Sequence, residues 1–213
     1  MPSRQVHSTQ TGTHPDLAHW VNRARTGFRK PIAAFNASAF SEVSHWLGEA
    51  DTPWLLDSGC GTGHSSLFLA EQHPNLRVVG VDRSAHRLGK TPNTHARILW
   101  VRADLVDFWR LLAASPWRPL RHYLLYPNPY PKAQHIKQRW HAHPVFPALL
   151  ACSPQLICRT NWLIYAQELQ QALTWHGYTA DLAEVHPNPP ITLFERKYQA
   201  SGHQLWEVST QIN

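Results

Sequence analysis

Between Trp54 and Tyr126 the chain repeats one pattern four times: a short apolar run, then a polar turn. Trp54-Leu55-Leu56 runs into Asp57 and a glycine-rich turn, and His64 to His73 follows as a helix stopped before Pro74. Arg77-Val78-Val79-Gly80-Val81 ends at Asp82, with a short helix from Ser84 to Lys90. Ile98 to Arg102 ends near Asp104, with a helix from Val106 to Ala114. His122 to Tyr126 is the fourth run, stopped by the proline loop Pro127-Asn128-Pro129-Tyr130-Pro131. Short uninterrupted apolar runs suit strands buried on both faces. Strands alternating with helices build a parallel sheet with helices on each side.

Downstream, a helical stretch is expected within Gln134 to Leu150, a fifth strand at Leu156-Ile157-Cys158 and a helix from Trp162 to His176. Gln204-Leu205-Trp206-Glu207-Val208 alternates, as an antiparallel strand does. The expected class is α/β: Rossmann-like, a doubly wound, mostly parallel sheet with an antiparallel C-terminal strand pair. Upstream, Asp16 is placed to cap a helix over Leu17 to Thr26, and Pro31 to open one over Ile32 to Leu47. The expected organisation is a helical extension over 1–50, able to cover a substrate, and a main domain over 51–213.

A chain of 213 residues buries about 70% of its unfolded surface and needs no staple. Its three cysteines, Cys60, Cys152 and Cys158, form no CxxC pair and no disulfide framework. They fit a reducing cytosol, so a cytoplasmic location is expected. No apolar run approaches the ~20 residues that span a bilayer, and the polar start MPSRQVHSTQTGTHPD is no secretory signal. His141-Ala142-His143 lacks a third ligand at a clear spacing, so no metal is expected.

The main chemical clue is Leu56-Asp57-Ser58-Gly59-Cys60-Gly61-Thr62-Gly63. It follows a strand and opens a helix, where ligands of such sheets bind. It lacks the Lys-Ser/Thr pair of a phosphate loop and the G-x-G-x-x-G spacing of a dinucleotide site. S-adenosyl-L-methionine fits better. Asp57 can meet its ammonium, Asp82 its ribose hydroxyls, and Asp104 lies where the adenine amino group should be. Three acids at three successive strand ends weigh more than the glycines alone. The plain alternative is a tight turn with solvated acids nearby.

Net charge is +6, which favours an anionic partner. Asp107 and Glu168 enclose an interval without acids that carries Arg110, Arg118, Arg121, Lys132, Lys137, Arg139 and Arg159. Interleaved with histidines and aromatics, it fits a phosphate backbone and stacked bases. The alternative is an ordinary solvated basic face.

Tyr126-Pro127-Asn128-Pro129-Tyr130-Pro131-Lys132, followed by His135, Lys137, Arg139 and Trp140, resembles the PDPWPK signature of bacterial tRNA (guanine-N7)-methyltransferases and the basic run after it. Thr160-Asn161-Trp162 with Tyr165-Ala166 is similar to that family's T-D-W…Y-A. Thr192-Leu193-Phe194-Glu195-Arg196 with Gly202-His203 and Trp206 looks like its T-x-F-E-x-R…G-H…W. The resemblance implies a class I methyltransferase using S-adenosyl-L-methionine, with guanine in tRNA, or another RNA, as acceptor. It implies that Asp57, Gly59, Gly61, Gly63, Asp82 and Asp104 hold the donor. It implies that Asn128, Asn161 and Glu195 act at the base, with Tyr130, Lys132, Lys137, Arg139 and Thr192 binding substrate. Asn128 and Asn161 stand where the family has Asp, and Tyr130 where it has Trp. These departures imply slower chemistry or a changed substrate. Asn128-Pro129-Tyr130 also resembles the N-P-P-Y loop of amino-group methyltransferases, which implies an exocyclic amine as a second acceptor class. A methyltransferase fold that binds RNA without catalysis is the third alternative.

Overall fold

The computed structural model describes residues 3–48, 53–92 and 94–210. Its helices are α1 (Leu17–Ala24), α2 (Ala34–Leu47), α3 (His64–Gln72), α4 (Ala85–Leu88), α5 (Leu105–Ala113), α6 (Phe146–Ala151), α7 (Leu163–Trp175) and α8 (Leu193–Gln199). Its strands are β1 (Trp54–Ser58), β2 (Arg77–Asp82), β3 (Ile98–Arg102), β4 (Arg121–Leu125), β5 (Leu156–Thr160), β6 (Ala180–Glu184) and β7 (Trp206–Thr210). Two short 3-10 helices, Ala133–Gln138 and Trp140–Ala142, fill the start of the stretch after the proline loop. The chain divides into two units. One comprises Arg29–Leu125 and Ala148–Pro154; the other comprises Met1–Phe28, Tyr126–Pro147 and Gln155–Asn213. The expected boundary between 50 and 51 lies outside the described residues, and the two units cut across it: α1 and α2 fall in different ones.

In the unit built on Arg29–Leu125, β3, β2, β1 and β4 lie side by side, all parallel. Trp54, Leu55 and Leu56 are wholly buried, as are Val78, Val79 and Val81. That is why these runs carry no polar alternation. Gly80 is fixed by packing: a Cβ there would meet Ser66 Oγ and Trp100 Cδ1, each at 2.7 Å. Buried Asn36 of α2 accepts the Asp104 N–H on Oδ1 and donates from Nδ2 to Asp107 Oδ2 at 2.6 Å. Asp107 also accepts the Ala33 N–H, so α5 supplies the acceptor for the start of α2, and Pro31 lies before the helix. Arginines close helix ends: Arg77 donates to the carbonyls of Trp46 and Leu47, and Arg97 to those of Ala70 and His73. A cation there meets the negative end of the helix dipole.

In the other unit, β7 lies between β5 and β6 and runs antiparallel to both. The expected C-terminal antiparallel pair is β6 with β7. Tyr165, Ala166, Leu169, Ala172 and Leu173 of α7 are buried in this unit's core, with Cys158 and Val208 from the strands. Asp16 does not cap α1; its side chain makes no capping bond, and its N–H goes to His14 Nδ1. Among the described residues no helix is long and apolar enough to cross a membrane.

Candidate active site

The expected donor residues all lie in the first unit, at the carboxyl ends of β1, β2 and β3. Gly59, Gly61 and Gly63 all have positive φ, at 79°, 60° and 77°. The N–H groups of Gly59 and Cys60 both donate to Val81 O, tying the turn to β2. Asp82 Oδ2 accepts the Gly61 N–H at 3.0 Å, and its Oδ1 accepts the Ser84 N–H at 2.8 Å. Arg87 stands 3.5 Å from the same carboxylate, with its side chain 45% exposed; a pair so open to water adds little. Gly63 cannot carry a side chain: a Cβ would sit 2.8 Å from both Thr91 Cγ2 and Trp100 Nε1, in a left-handed backbone. Asp104 caps α5 by accepting the Val106 N–H on Oδ1.

Asp57 is wholly buried, and its Oδ2 accepts the hydroxyls of Ser65 and Ser66 at 2.6 and 2.7 Å. Its Oδ1 is buried and has no hydrogen-bond partner among the described residues. Burial pushes the carboxyl up to about 6, against the two serine hydroxyls, which favour the charged form. An orphaned carboxylate oxygen is costly unless a donor reaches it, and a cationic group would both satisfy it and pull its pKa down. The ammonium of S-adenosyl-L-methionine is such a group, so these residues fit the donor. Ser65 and Ser66 went unremarked in the sequence; their signal is a pair of hydroxyls in the first turn after Gly63.

The expected acceptor residues lie in the second unit. Asn128 is exposed, and its Oδ1 accepts the Tyr130 N–H at 3.3 Å. Tyr126 and Tyr130 both hold positive φ, 54° and 45°, which side chains of that size adopt only under constraint. Tyr130 O accepts from Arg139 Nη2 at 3.0 Å and from its Nε at 3.2 Å. Asn161 Nδ2 donates to His203 Nδ1 at 3.1 Å, and the His203 ring stacks on Tyr198 with centroids 5.2 Å apart. Lys132 and Lys137 are exposed, and the Lys137 ammonium lies 4.4 Å from the centroid of the Trp20 ring.

Three expectations change here. Glu195 is wholly buried and both its oxygens are engaged: Oε1 by the Tyr126 hydroxyl at 2.8 Å and by Arg159 at 3.0 Å, Oε2 by the Ile191 N–H. It braces β5 and α8 instead of presenting a carboxylate to a base. Thr192 is buried and caps α8 by accepting the Glu195 N–H, so its hydroxyl is a structural acceptor. Arg139 is wholly buried, 2.5 Å from Glu168 and 4.8 Å from the Trp162 ring centroid, so it does not face a phosphate. Others in the acid-free interval are also engaged: Arg110 by Asp107, Arg118 by the carbonyls that end α5, and Arg159 by Glu195 and Glu207. Burial works against the Arg159 charge, but Glu207 and Glu195 outweigh it and raise its pKa. Burial, then the Glu195 charge, raises Tyr126 well above the usual phenol range, so its hydroxyl stays a donor.

Residues 51–208 match the family model described as "Putative methyltransferase". A tRNA (guanine-N(7)-)-methyltransferase of Burkholderia vietnamiensis is 28% identical over 220 residues, covering 92% of this chain and 84% of that one. One from Leifsonia xyli is 28% identical over 172 residues, covering 73% and 74%. Among solved structures, the 16S rRNA methyltransferase KamB shares the fold, with a TM-score of 0.60 at 15% identity, over 88% of this chain and 97% of that one. The chain therefore belongs to this methyltransferase family, as a divergent relative of the bacterial tRNA (guanine-N7)-methyltransferases, with a class I fold and S-adenosyl-L-methionine as its methyl donor.

Proposed function

We propose that this chain methylates N7 of a guanine in tRNA, in the cytoplasm. The observation that carries the reading is the make-up of the acceptor side. It keeps the motif positions of the tRNA methyltransferases it resembles, yet three of those positions offer no free carboxylate: Asn128 and Asn161 are neutral, and Glu195 is engaged on both oxygens. Guanine N7 carries an available lone pair and needs no base to remove a proton. The bound donor supplies an electrophilic methyl group. The chain's own part is to hold the donor through Asp57, Asp82 and Asp104 and to present the base in near-attack geometry. Lys132 and Lys137, both exposed, would take phosphates of the RNA backbone.

Without a carboxylate beside the base, the positive charge that appears on the ring is weakly supported. Asn128→Asp should remedy that with little structural cost, because Oδ1 keeps its bond to the Tyr130 N–H. Formation of 7-methylguanosine in tRNA is expected to speed up about tenfold, the effect of one modest charge contact. Nucleoside analysis of the methylated tRNA checks this. An exocyclic methylamine as product, abolished by the same substitution, would favour the amine reading instead.

A further inference from the structure

Residues 3–16 form no helix or strand, yet four half-buried ones, Ser3, Ser8, Gln10 and His14, are bonded to residues on the acceptor side of their own unit. Ser3 N–H donates to Ser201 Oγ at 2.8 Å, and Ser3 O accepts from His203 Nε2, the ring that Asn161 holds by its other nitrogen. Ser8 Oγ donates to Pro131 O at 2.6 Å. Gln10 Oε1 accepts from Arg139 Nη2 at 2.5 Å, while its Nε2 donates to Glu168 Oε1 at 3.3 Å. His14 N–H also donates to Glu168 Oε1, at 2.9 Å.

Gln10 thus bridges a wholly buried ion pair, accepting from the cation and donating to the anion. The cation of that pair is the group that grips Tyr130 O. Tyr130 has the left-handed backbone that a tyrosine holds only when its surroundings enforce it. A chain of direct bonds therefore runs from the N-terminal arm to the proline loop: Gln10 to Arg139, Arg139 to Tyr130, with Ser8 reaching the next carbonyl, Pro131, independently.

We infer that the N-terminal arm is a working part of the acceptor side, and that Gln10, acting through Arg139, is a positioning residue for the proline loop. The inference rests on the proposed acceptor role of that loop. The loop carries Asn128 and Lys132, so its conformation sets where a base and a phosphate are held. These bonds of the arm all stay within its own unit, whereas Asp57, Asp82 and Asp104 belong to the other, so donor binding serves as the control.

The test is Gln10→Ala in the full chain, read by amide exchange and by kinetics. Exchange at the Tyr130 amide is expected to rise about tenfold, the effect of losing one buried hydrogen bond on a local opening. S-adenosyl-L-methionine affinity should stay within about twofold, and kcat for tRNA methylation should fall about tenfold with little change in KM. Ser8→Ala removes a single hydroxyl and should shift the same amide in the same direction, which keeps the test open if the first variant folds poorly. Unchanged exchange at Tyr130 in both variants would overturn the inference. An unmethylated tRNA with the wild-type chain would instead count against the proposed acceptor, while the exchange result would still decide the role of the arm.

Discussion

Asp82→Ala is expected to weaken S-adenosyl-L-methionine binding about hundredfold, measured by calorimetry. The carboxylate is buried at the end of β2 and already fixes the turn, through Gly61, and the start of α4, through Ser84. Each oxygen has a second lone pair for a ribose hydroxyl. Charge-assisted bonds of this type contribute about 1.5–3 kcal/mol each, and two of them span about two to four decades of affinity. The alanine also leaves the Gly61 N–H without its acceptor and loosens the glycine turn. Asp82→Asn keeps one acceptor oxygen and should fall between the two. Affinity within about threefold of wild type in the alanine variant would remove Asp82 from the donor site.

Glu168→Gln should be the most damaging single change to the fold. Glu168 and Arg139 have no exposed side-chain area and lie 2.5 Å apart, and His141 donates to the same carboxylate oxygen at 3.0 Å. Removing one partner leaves a buried charge uncompensated, at a cost of about 3–5 kcal/mol. Burial alone would raise the Glu168 carboxyl; the bond from His141 and the adjoining Arg139 outweigh it and hold the group at about 2, against 4.5 ordinarily. Its stabilising contribution is therefore complete above pH 4.5 and disappears as pH falls toward 2. Urea unfolding should show a deficit of about 3 kcal/mol for the glutamine variant at pH 7 that closes across that window. A deficit below about 1 kcal/mol, or one independent of pH, would show that the pair does not support the fold as described.

The parallel half of the fold was legible because two-sided burial leaves strands apolar throughout. Val78, Val79 and Val81 announce β2 without any alternation to interpret. The places of Asp57, Asp82 and Asp104 were legible for a local reason too: Asp82 ends β2, Asp57 is the last residue but one of β1, and Asp104 lies two residues past β3. The arginines were not. Counting charge along the chain made the interval from Asp107 to Glu168 look like a free cationic surface. The partners of Arg139 and Arg159 come from Glu168, Glu195 and Glu207, far off in sequence and beside them in space. No local pattern records such a pairing. The short helix α8 was hidden differently: Thr192 and Glu195 have capping-box spacing, but in the sequence they drew notice as a resemblance to a motif, not as a helix start. Gln10 gave no signal at all, because an isolated glutamine in a polar stretch looks solvated.

The most direct measurement is transfer of a labelled methyl group from S-adenosyl-L-methionine into tRNA that lacks 7-methylguanosine, followed by digestion and identification of the labelled nucleoside. Label recovered as 7-methylguanosine is the predicted result. Label on a different nucleoside, or tRNA left unlabelled by a chain that binds the donor, would contradict the account.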